Sequence, residues 1–144
     1  MTSLEPAQVL TWDHLAEGMV AAVEFSISPA EMDAFAALSG DENALHRDVV
    51  FARARGFDGV VVYGGLMVAK ISQLIGMRLP GRDAVWTGLS LRFRKPLYVG
   101  QQARLTGTIA HLSDSTRTVV LRMEVRTAEQ LLADGEVEAR VVES

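Results

Sequence analysis

Residues 38–46 hold a carboxylate, an amide and an imidazole within six positions, contributed by Asp41, Asn43 and His46. A carboxylate and an imidazole that reach one small site can act as a general acid and base pair. On an ideal helix, residues five positions apart point roughly 140° away from each other, so Asp41 and His46 need an irregular segment between them. Gly40 favours such a segment, because glycine is common just past a helix C-terminus. A solvated loop with a capping Asp41 and a surface His46 is the alternative.

The composition is that of one ordinary globular domain. The chain has 144 residues and a mass of 15.6 kDa, and its hydrophobic and charged fractions are 49% and 22%. This is enough apolar material for a sizeable core. The net charge of −4 and the lack of a basic cluster argue against a nucleic-acid-binding face. The absence of cysteine excludes disulfides, thiolate metal sites and cysteine nucleophiles.

Sequence signals for membrane insertion and export are missing. No apolar run approaches the ~20 residues of a membrane span. The first six residues lack the basic segment and apolar core of a signal peptide. We therefore expect a cytoplasmic protein without membrane contacts.

Local signals predict the elements around the polar loop. A strand is expected over residues 20–27, after an extension in which Trp12 and Leu15 are candidates for docking. Three residues after this strand mark the start of a helix: Ser28 as N-cap, Pro29 at the first helical position, and Glu31, which closes a capping box. A short helix is expected over residues 48–55, with an inward-facing phenylalanine at position 51.

The rest of the chain predicts one buried helix and four strands. Residues 66–77 place apolar side chains on most of the helical circumference, which is typical of a buried helix. Four later segments alternate apolar and polar residues and predict an antiparallel meander with one buried face: 89–94, 103–109, 119–126 and 133–141. Together they predict an α+β domain whose sheet wraps around the helix. Unpaired sheet edges favour a homodimer that continues the sheet.

Three motifs in this order resemble the MaoC-like dehydratases, the (R)-specific enoyl-CoA hydratases of the hot-dog fold. The first matches the family's pattern Asp-x-Asn-Pro-x-His, the second its His-Gly pair at the start of the central helix, and the third its exit from that helix. They are residues 35–46, residues 61–66, and Leu79-Pro80-Gly81 followed by residues 88–97. Two residues depart from the family's pattern. Ala44 replaces proline, so the loop loses a fixed φ, and Tyr63 replaces histidine.

The resemblance runs from about residue 20 to residue 142 and implies both fold and activity. The implied fold is an antiparallel sheet wrapped around a long central helix, with an overhanging hydratase-type segment. We expect a single hot-dog domain over residues 20–144, preceded by an extension of residues 1–19. The implied activity is hydration of an enoyl thioester carried by coenzyme A or an acyl carrier protein, in a homodimer, without a metal or organic cofactor.

The resemblance also implies roles for the polar residues. Asp41 and His46 hold and deprotonate the attacking water and return a proton to Cα of the substrate. Gly64 opens the central helix, where unpaired N–H groups and the helix dipole favour the developing negative charge on the thioester oxygen. A tight turn at Gly64 and Gly65 is the alternative interpretation of this pair.

Supporting residues have two interpretations each. Asn43 braces the loop through nearby backbone, as asparagine does in turns, or contacts substrate. Ser72 lines the site, as the resemblance implies, or bonds back within its own helix. Tyr63 points its hydroxyl into the site, or packs with that hydroxyl satisfied.

The remaining polar residues carry less chemistry. Three cationic residues either contact coenzyme A phosphates or lie on an exposed strand face: Arg92, Arg94 and Lys95. His14 and His111 have no partner at motif spacing and are expected on the surface. We reject a metal at Asp41, His46 and Asp48, because their spacing matches no recognised site.

Two alternative functions remain open. Thioesterases of the hot-dog fold usually take their carboxylate from the central helix, but residues 66–77 contain neither Asp nor Glu. A non-catalytic subunit that binds acyl thioesters is the other alternative. The intact Asp41 and His46 argue against it, and the departures at Ala44 and Tyr63 keep it open.

Overall fold

A computed structural model describes residues 5–143. The first four residues of the predicted extension and Ser144 lie outside the described residues. The elements, in chain order, are β1 (Val20–Phe25), α1 (Pro29–Ser39), α2 (Val49–Ala54), α3 (Gly64–Met77), β2 (Ala84–Phe93), β3 (Ala103–Ser113), β4 (Thr118–Arg126) and β5 (Leu131–Val141). Short 3-10 helices cover Trp12–His14 and Ala44–His46. No helix within residues 5–143 is long and apolar enough to cross a membrane.

The five strands form one antiparallel sheet in the order β1-β3-β4-β5-β2. The predicted four-stranded meander is therefore only partly right. Strands β3, β4 and β5 do follow one another, but β2 pairs with β5 at the far edge, for example Leu91 opposite Gly135. Alternation within a strand predicts which face is buried, but it contains no information about the neighbouring strand.

The central helix α3 supplies the middle of the core. Its side chains Met67, Ile71, Leu74 and Ile75 are buried, and they share one cluster with inward residues of the sheet such as Leu105. The close approach of the sheet to the helix explains Gly107 on β3, where an added Cβ would lie 2.9 Å from the Leu74 side chain. As predicted, the sheet wraps around a buried helix.

The start and end of α1 follow the predicted local signals. The Ser28 hydroxyl accepts the N–H of Glu31 at 3.1 Å, and the Glu31 carboxylate accepts the N–H of Ser28 at 3.1 Å, which completes the capping box. Gly40 ends the helix with a left-handed φ of 75°. In α2, Phe51 is only half-buried, contrary to the prediction, and Ala52 is the buried residue.

The described part of the predicted N-terminal extension packs onto the domain. Trp12 and Leu15 are each 7% exposed and belong to the main core cluster. The indole N–H of Trp12 donates to Asp114 at 2.7 Å. The division of the chain between residues 19 and 20 stays a prediction.

Strand β2 leaves apolar side chains uncovered, contrary to the predicted buried face. Leu89 is 40% exposed and Phe93 is 54% exposed. The pairing from Leu89 to Phe93 is regular and sets these side chains opposite the buried Val137 and Ala133, so they lie on the inner face but at an edge of the sheet that nothing in the single chain covers. Strands β1 and β2 are the two sheet edges, as expected for an open sheet.

The pairing of β2 with β5 predicts a glycine requirement at position 135. A Cβ added to Gly135 would overlap the backbone carbonyl oxygen of Ser90 on β2, whereas one added to Gly88 would make an ordinary 3.5 Å contact with Glu138. We expect Gly135→Ala to lower the free energy of unfolding by about 2 kcal/mol, within the range for overpacking. Gly88→Ala is the control, and chemical denaturation measures both. Equal stabilities of the two variants would contradict the close approach.

Candidate active site

The loop between α1 and α2 is irregular, and it is held by side chains of its own residues. The Asp41 carboxylate accepts the N–H of Asn43 at 3.0 Å, and the Asn43 amide oxygen accepts the N–H of Leu45 at 2.9 Å. Asn43 thereby caps the 3-10 turn Ala44–His46. These bonds give the loop the non-helical path that Asp41 and His46 need.

The imidazole of His46 is fixed by the segment that leads into α3. Its Nδ1 lies 2.7 Å from the carbonyl oxygen of Val61, and the N–H of Val61 donates to the carbonyl of Leu45 at 3.2 Å. A carbonyl oxygen only accepts, so Nδ1 carries the proton. In neutral His46 the other nitrogen, Nε2, is therefore bare and basic.

Tyr63 contacts both ends of the loop. Its ring stacks on the His46 imidazole with centroids 4.2 Å apart, and its hydroxyl donates to the carbonyl oxygen of Asp41 at 2.6 Å. The side chain is 1% exposed and also packs on Phe35. Burial raises the pKa of the Tyr63 phenol above its ordinary value, and Arg47 opposes this shift. The hydroxyl is therefore satisfied within the protein.

A cavity of about 290 Å³ lies where His46 meets the start of α3. Gly64, the first residue of α3, lines it together with His46. The first amides of a helix have no partner within the helix, so the cavity lies beside the free N-terminal end of α3 and the positive end of its dipole. Two cationic side chains also line the cavity, Arg94 and Lys95. The other lining residues are apolar: Phe57, Val61, Val62, Met67, Phe93, Pro96 and Leu97.

Four predicted site residues do not line this cavity: Asp41, Asn43, Tyr63 and Ser72. Asp41 is exposed at the far end of the loop, where Asn43 occupies one of its carboxylate oxygens. Ser72 is exposed on α3. In the single chain, His46 and Gly64 therefore share the cavity. Tyr63 contacts Asp41 through its hydroxyl and His46 through its ring.

The sequence analysis missed two aromatic residues of the cavity. Phe57 sits in the turn after α2, and Phe93 was expected on the inner face of the sheet. Phe93 lies over Gly64 of the central helix, where an added Cβ would come within 2.9 Å of its ring. Two glycines at the start of a helix were the available signal, because they indicate that another group approaches closely.

Of the other polar candidates, some line the cavity and the others lie elsewhere on the surface. Arg94 and Lys95 line the cavity, whereas Arg92 is exposed on the outer face of β2. His14 and His111 are exposed. Within residues 5–143, no group of three or more acidic or histidine side chains could hold a metal ion. The carboxylate of Asp48 accepts the amides of Val50 and Phe51 and so caps α2.

The match to a family model decides the classification of this chain. A model described as the MaoC like domain matches residues 13–130, which is most of the sequence. The chain belongs to the MaoC-like domain family. This confirms the resemblance drawn from the loop and helix motifs.

Relatives of the MaoC-like chain carry related names. The (R)-specific enoyl-CoA hydratase of Aeromonas caviae is 34% identical over 116 residues, which are 81% of this chain and 87% of that protein. The 3-hydroxybutyryl-CoA dehydratase of Methylorubrum extorquens is 28% identical over 138 residues, which are 96% and 88%. The predicted class of hydro-lyase agrees with these names.

Solved structures confirm the hot-dog fold of the MaoC-like chain. The (R)-hydratase from A. caviae matches with a TM-score of 0.85 and 32% identity, covering 89% of this chain and 98% of that chain. A fluoroacetyl-CoA-specific thioesterase matches with a TM-score of 0.63 at 12% identity, which shows a shared fold alone.

Proposed function

We propose that this MaoC-like protein catalyses the reversible hydration of trans-2-enoyl thioesters to (R)-3-hydroxyacyl thioesters. The observation that carries the proposal is the hydrogen bond from His46 Nδ1 to the Val61 carbonyl. It leaves a bare Nε2 on a residue that lines the same cavity as the N-terminal glycine of α3. The names of the (R)-specific hydratase relatives supply the substrate class and the stereochemistry.

In the proposed mechanism, His46 carries one proton from the attacking water to Cα of the substrate. His46 Nε2 takes a proton from water as the water oxygen bonds to Cβ of the enoyl group, and the electron pair of the double bond moves toward the thioester oxygen. The imidazolium then returns this proton to Cα, so that water is added and His46 is neutral again. Asp41 does not line the cavity in the single chain, and its proposed role is to orient the water through the carboxylate oxygen that is not bonded to the N–H of Asn43.

The negative charge that develops on the thioester oxygen needs donors that are already in place. The N–H of Gly64 is the proposed donor, supported by its position as the first amide of a 14-residue helix. One such donor is commonly worth about 10² to 10³ in kcat. Glycine at this position also permits the close approach of the Phe93 ring, which would lie 2.9 Å from an added Cβ.

We take coenzyme A as the carrier of the acyl group. The apolar walls of the cavity fit an acyl chain, and the cationic side chains of Arg94 and Lys95 lie at the same cavity. Arg94 is held by Asp134 at 2.7 Å, and Lys95 forms no ion pair within the described residues. Lys95 is therefore the cation best able to meet a phosphate. A cytoplasmic location stays a prediction.

The proposed roles of His46 as proton carrier and of Asp41 in orienting the water predict large losses of activity on substitution. We expect Asp41→Asn and His46→Ala to lower hydration of crotonyl-CoA by at least about a hundredfold, the scale of positioned acid and base groups. Loss of the enoyl absorbance measures the rate, and an (R)-specific dehydrogenase identifies the product. The exposed His111→Ala is the matched control and should keep the wild-type rate.

The same assay separates hydration from the two alternatives. The chain has no cysteine, so any thiol detected comes from coenzyme A release. Thiol release without loss of the enoyl group would identify a thioesterase. If neither hydration nor thiol release is observed over a range of chain lengths, the result would favour the non-catalytic subunit.

The oxyanion role of Gly64 predicts different results for two substitutions. Gly64→Ala and Gly64→Pro add a similar Cβ beneath Phe93, but only Gly64→Pro removes the N–H. Proline is well tolerated at the first helical position, and Tyr63 already has a ψ of 132° that suits a following proline. We expect Gly64→Pro to have a kcat at least about tenfold below that of Gly64→Ala, as the loss of a donor requires. Equal kcat values would contradict the role of the N–H.

We also propose that the protein is a homodimer joined through β2. This edge strand has no partner on its outer side in the single chain, and Val85, Leu89 and Phe93 are exposed along it. An exposed apolar edge strand is a liability unless another chain covers it. Light scattering at micromolar concentration should give twice the 15.6 kDa of one chain. Val85→Lys should give a monomer, and a monomeric wild type would contradict the proposal.

A further inference from the structure

We propose that Tyr63 is a positioning residue that holds Asp41 and His46 in fixed relative places. The inference rests on the proposed function and extends it to a residue that departs from the family's pattern. One buried side chain meets both ends of the loop: the hydroxyl bonds the Asp41 carbonyl at 2.6 Å and the ring stacks on His46 at 4.2 Å.

The loop has few other connections between its ends. The bonds from Asp41 to Asn43 and from Asn43 to Leu45 are local, and each spans two residues. The bond between His46 and Val61 fixes only the end that carries the imidazole. Arg47 reaches Glu42 at 3.3 Å, but the Glu42 side chain is 67% exposed, and ion pairs with an exposed partner contribute little. Among the described contacts, Tyr63 is the buried group that joins Asp41 to His46.

Ala44 makes this connection more important. Proline would fix φ at this position, whereas alanine leaves it free. The preceding Asn43 has a φ of −58° and a ψ of 132°, and Ala44 is the first residue of the 3-10 turn. Both conditions are compatible with proline. The loop of this chain therefore obtains from Tyr63 part of the order that a proline would supply.

The hydroxyl and the ring of Tyr63 have separable effects. The hydroxyl holds the backbone at Asp41, so its removal frees the carboxylate end of the loop. The ring covers one face of the imidazole and holds its plane by stacking at 4.2 Å. Tyr63→Phe removes the first effect, and Tyr63→Leu removes both.

The kinetic test compares these variants on crotonyl-CoA. We expect kcat to fall about tenfold in Tyr63→Phe and about a hundredfold in Tyr63→Leu, with KM within about twofold, because small misplacements of catalytic groups cost this much. Tyr98→Phe is the matched control. Tyr98 is the other tyrosine of the chain, and its hydroxyl accepts the N–H of Asp58 at 3.1 Å. It should keep the wild-type kcat.

Rescue by a rigid loop distinguishes positioning from general destabilisation. Ala44→Pro should raise kcat more in the Tyr63→Phe background than in the wild type, since it restores order only where order was lost. A purely structural role of Tyr63 would give the same factor in both backgrounds. Equal factors, or an unchanged kcat in Tyr63→Phe, would overturn the proposal.

Hydrogen exchange tests the inference without activity. In Tyr63→Phe, the amides of Asn43 and Leu45 should exchange about fivefold faster, as the loss of one hydrogen bond implies. The amide of Glu31 in the α1 capping box should be unchanged. If the wild type hydrates no enoyl thioester, the proposed function fails, and this exchange result alone decides the role of Tyr63. Unchanged exchange at Asn43 and Leu45 would overturn it.

Discussion

The apolar helix α3 can be stable only inside the curved sheet, and its burial positions the proposed site. Ile71 and Leu74 are fully buried between the helix and the strands. With these side chains fixed, the N-terminus of α3 emerges where the ends of β2 and the polar loop meet. Gly64 stands at this point under Phe93. The site thus uses a helix end whose unsatisfied amides are a consequence of the helix itself.

The short segment before α3 transmits this rigidity to the polar loop. Val62 donates its N–H to the carbonyl of Leu97 at 2.8 Å, so the segment is tied to the chain that follows β2. Val61 donates its N–H to the carbonyl of Leu45 and accepts a hydrogen bond from His46, and Tyr63 stacks on the imidazole. The proposed base and the proposed oxyanion donor are therefore supported by four consecutive residues, 61–64. This explains how an irregular surface loop can hold a defined geometry.

Structural features that depend on a few neighbouring residues could be predicted from the sequence, whereas features that depend on contacts between distant residues could not. The capping box at Ser28 and Glu31, the glycine end of α1 and the apolar α3 are encoded within a few residues each, and the structure confirms them. The pairing of β2 with β5 joins residues that lie between 40 positions apart (Phe93 and Ala133) and 57 positions apart (Ala84 and Val141), so alternation alone gave the wrong neighbouring strand. The placement of Phe93 over Gly64 follows from this pairing. The imidazole tautomer of His46 likewise depends on the Val61 carbonyl, which no local motif indicates.

Hydration in water labelled with ¹⁸O tests the central claim most directly. We would incubate wild-type protein with crotonyl-CoA and analyse the products by mass spectrometry. The account predicts one ¹⁸O atom in the C3 hydroxyl of (R)-3-hydroxybutyryl-CoA, with the thioester intact. A label in the carboxylate of a released acid, or no incorporation with enoyl thioesters of any chain length, would contradict it.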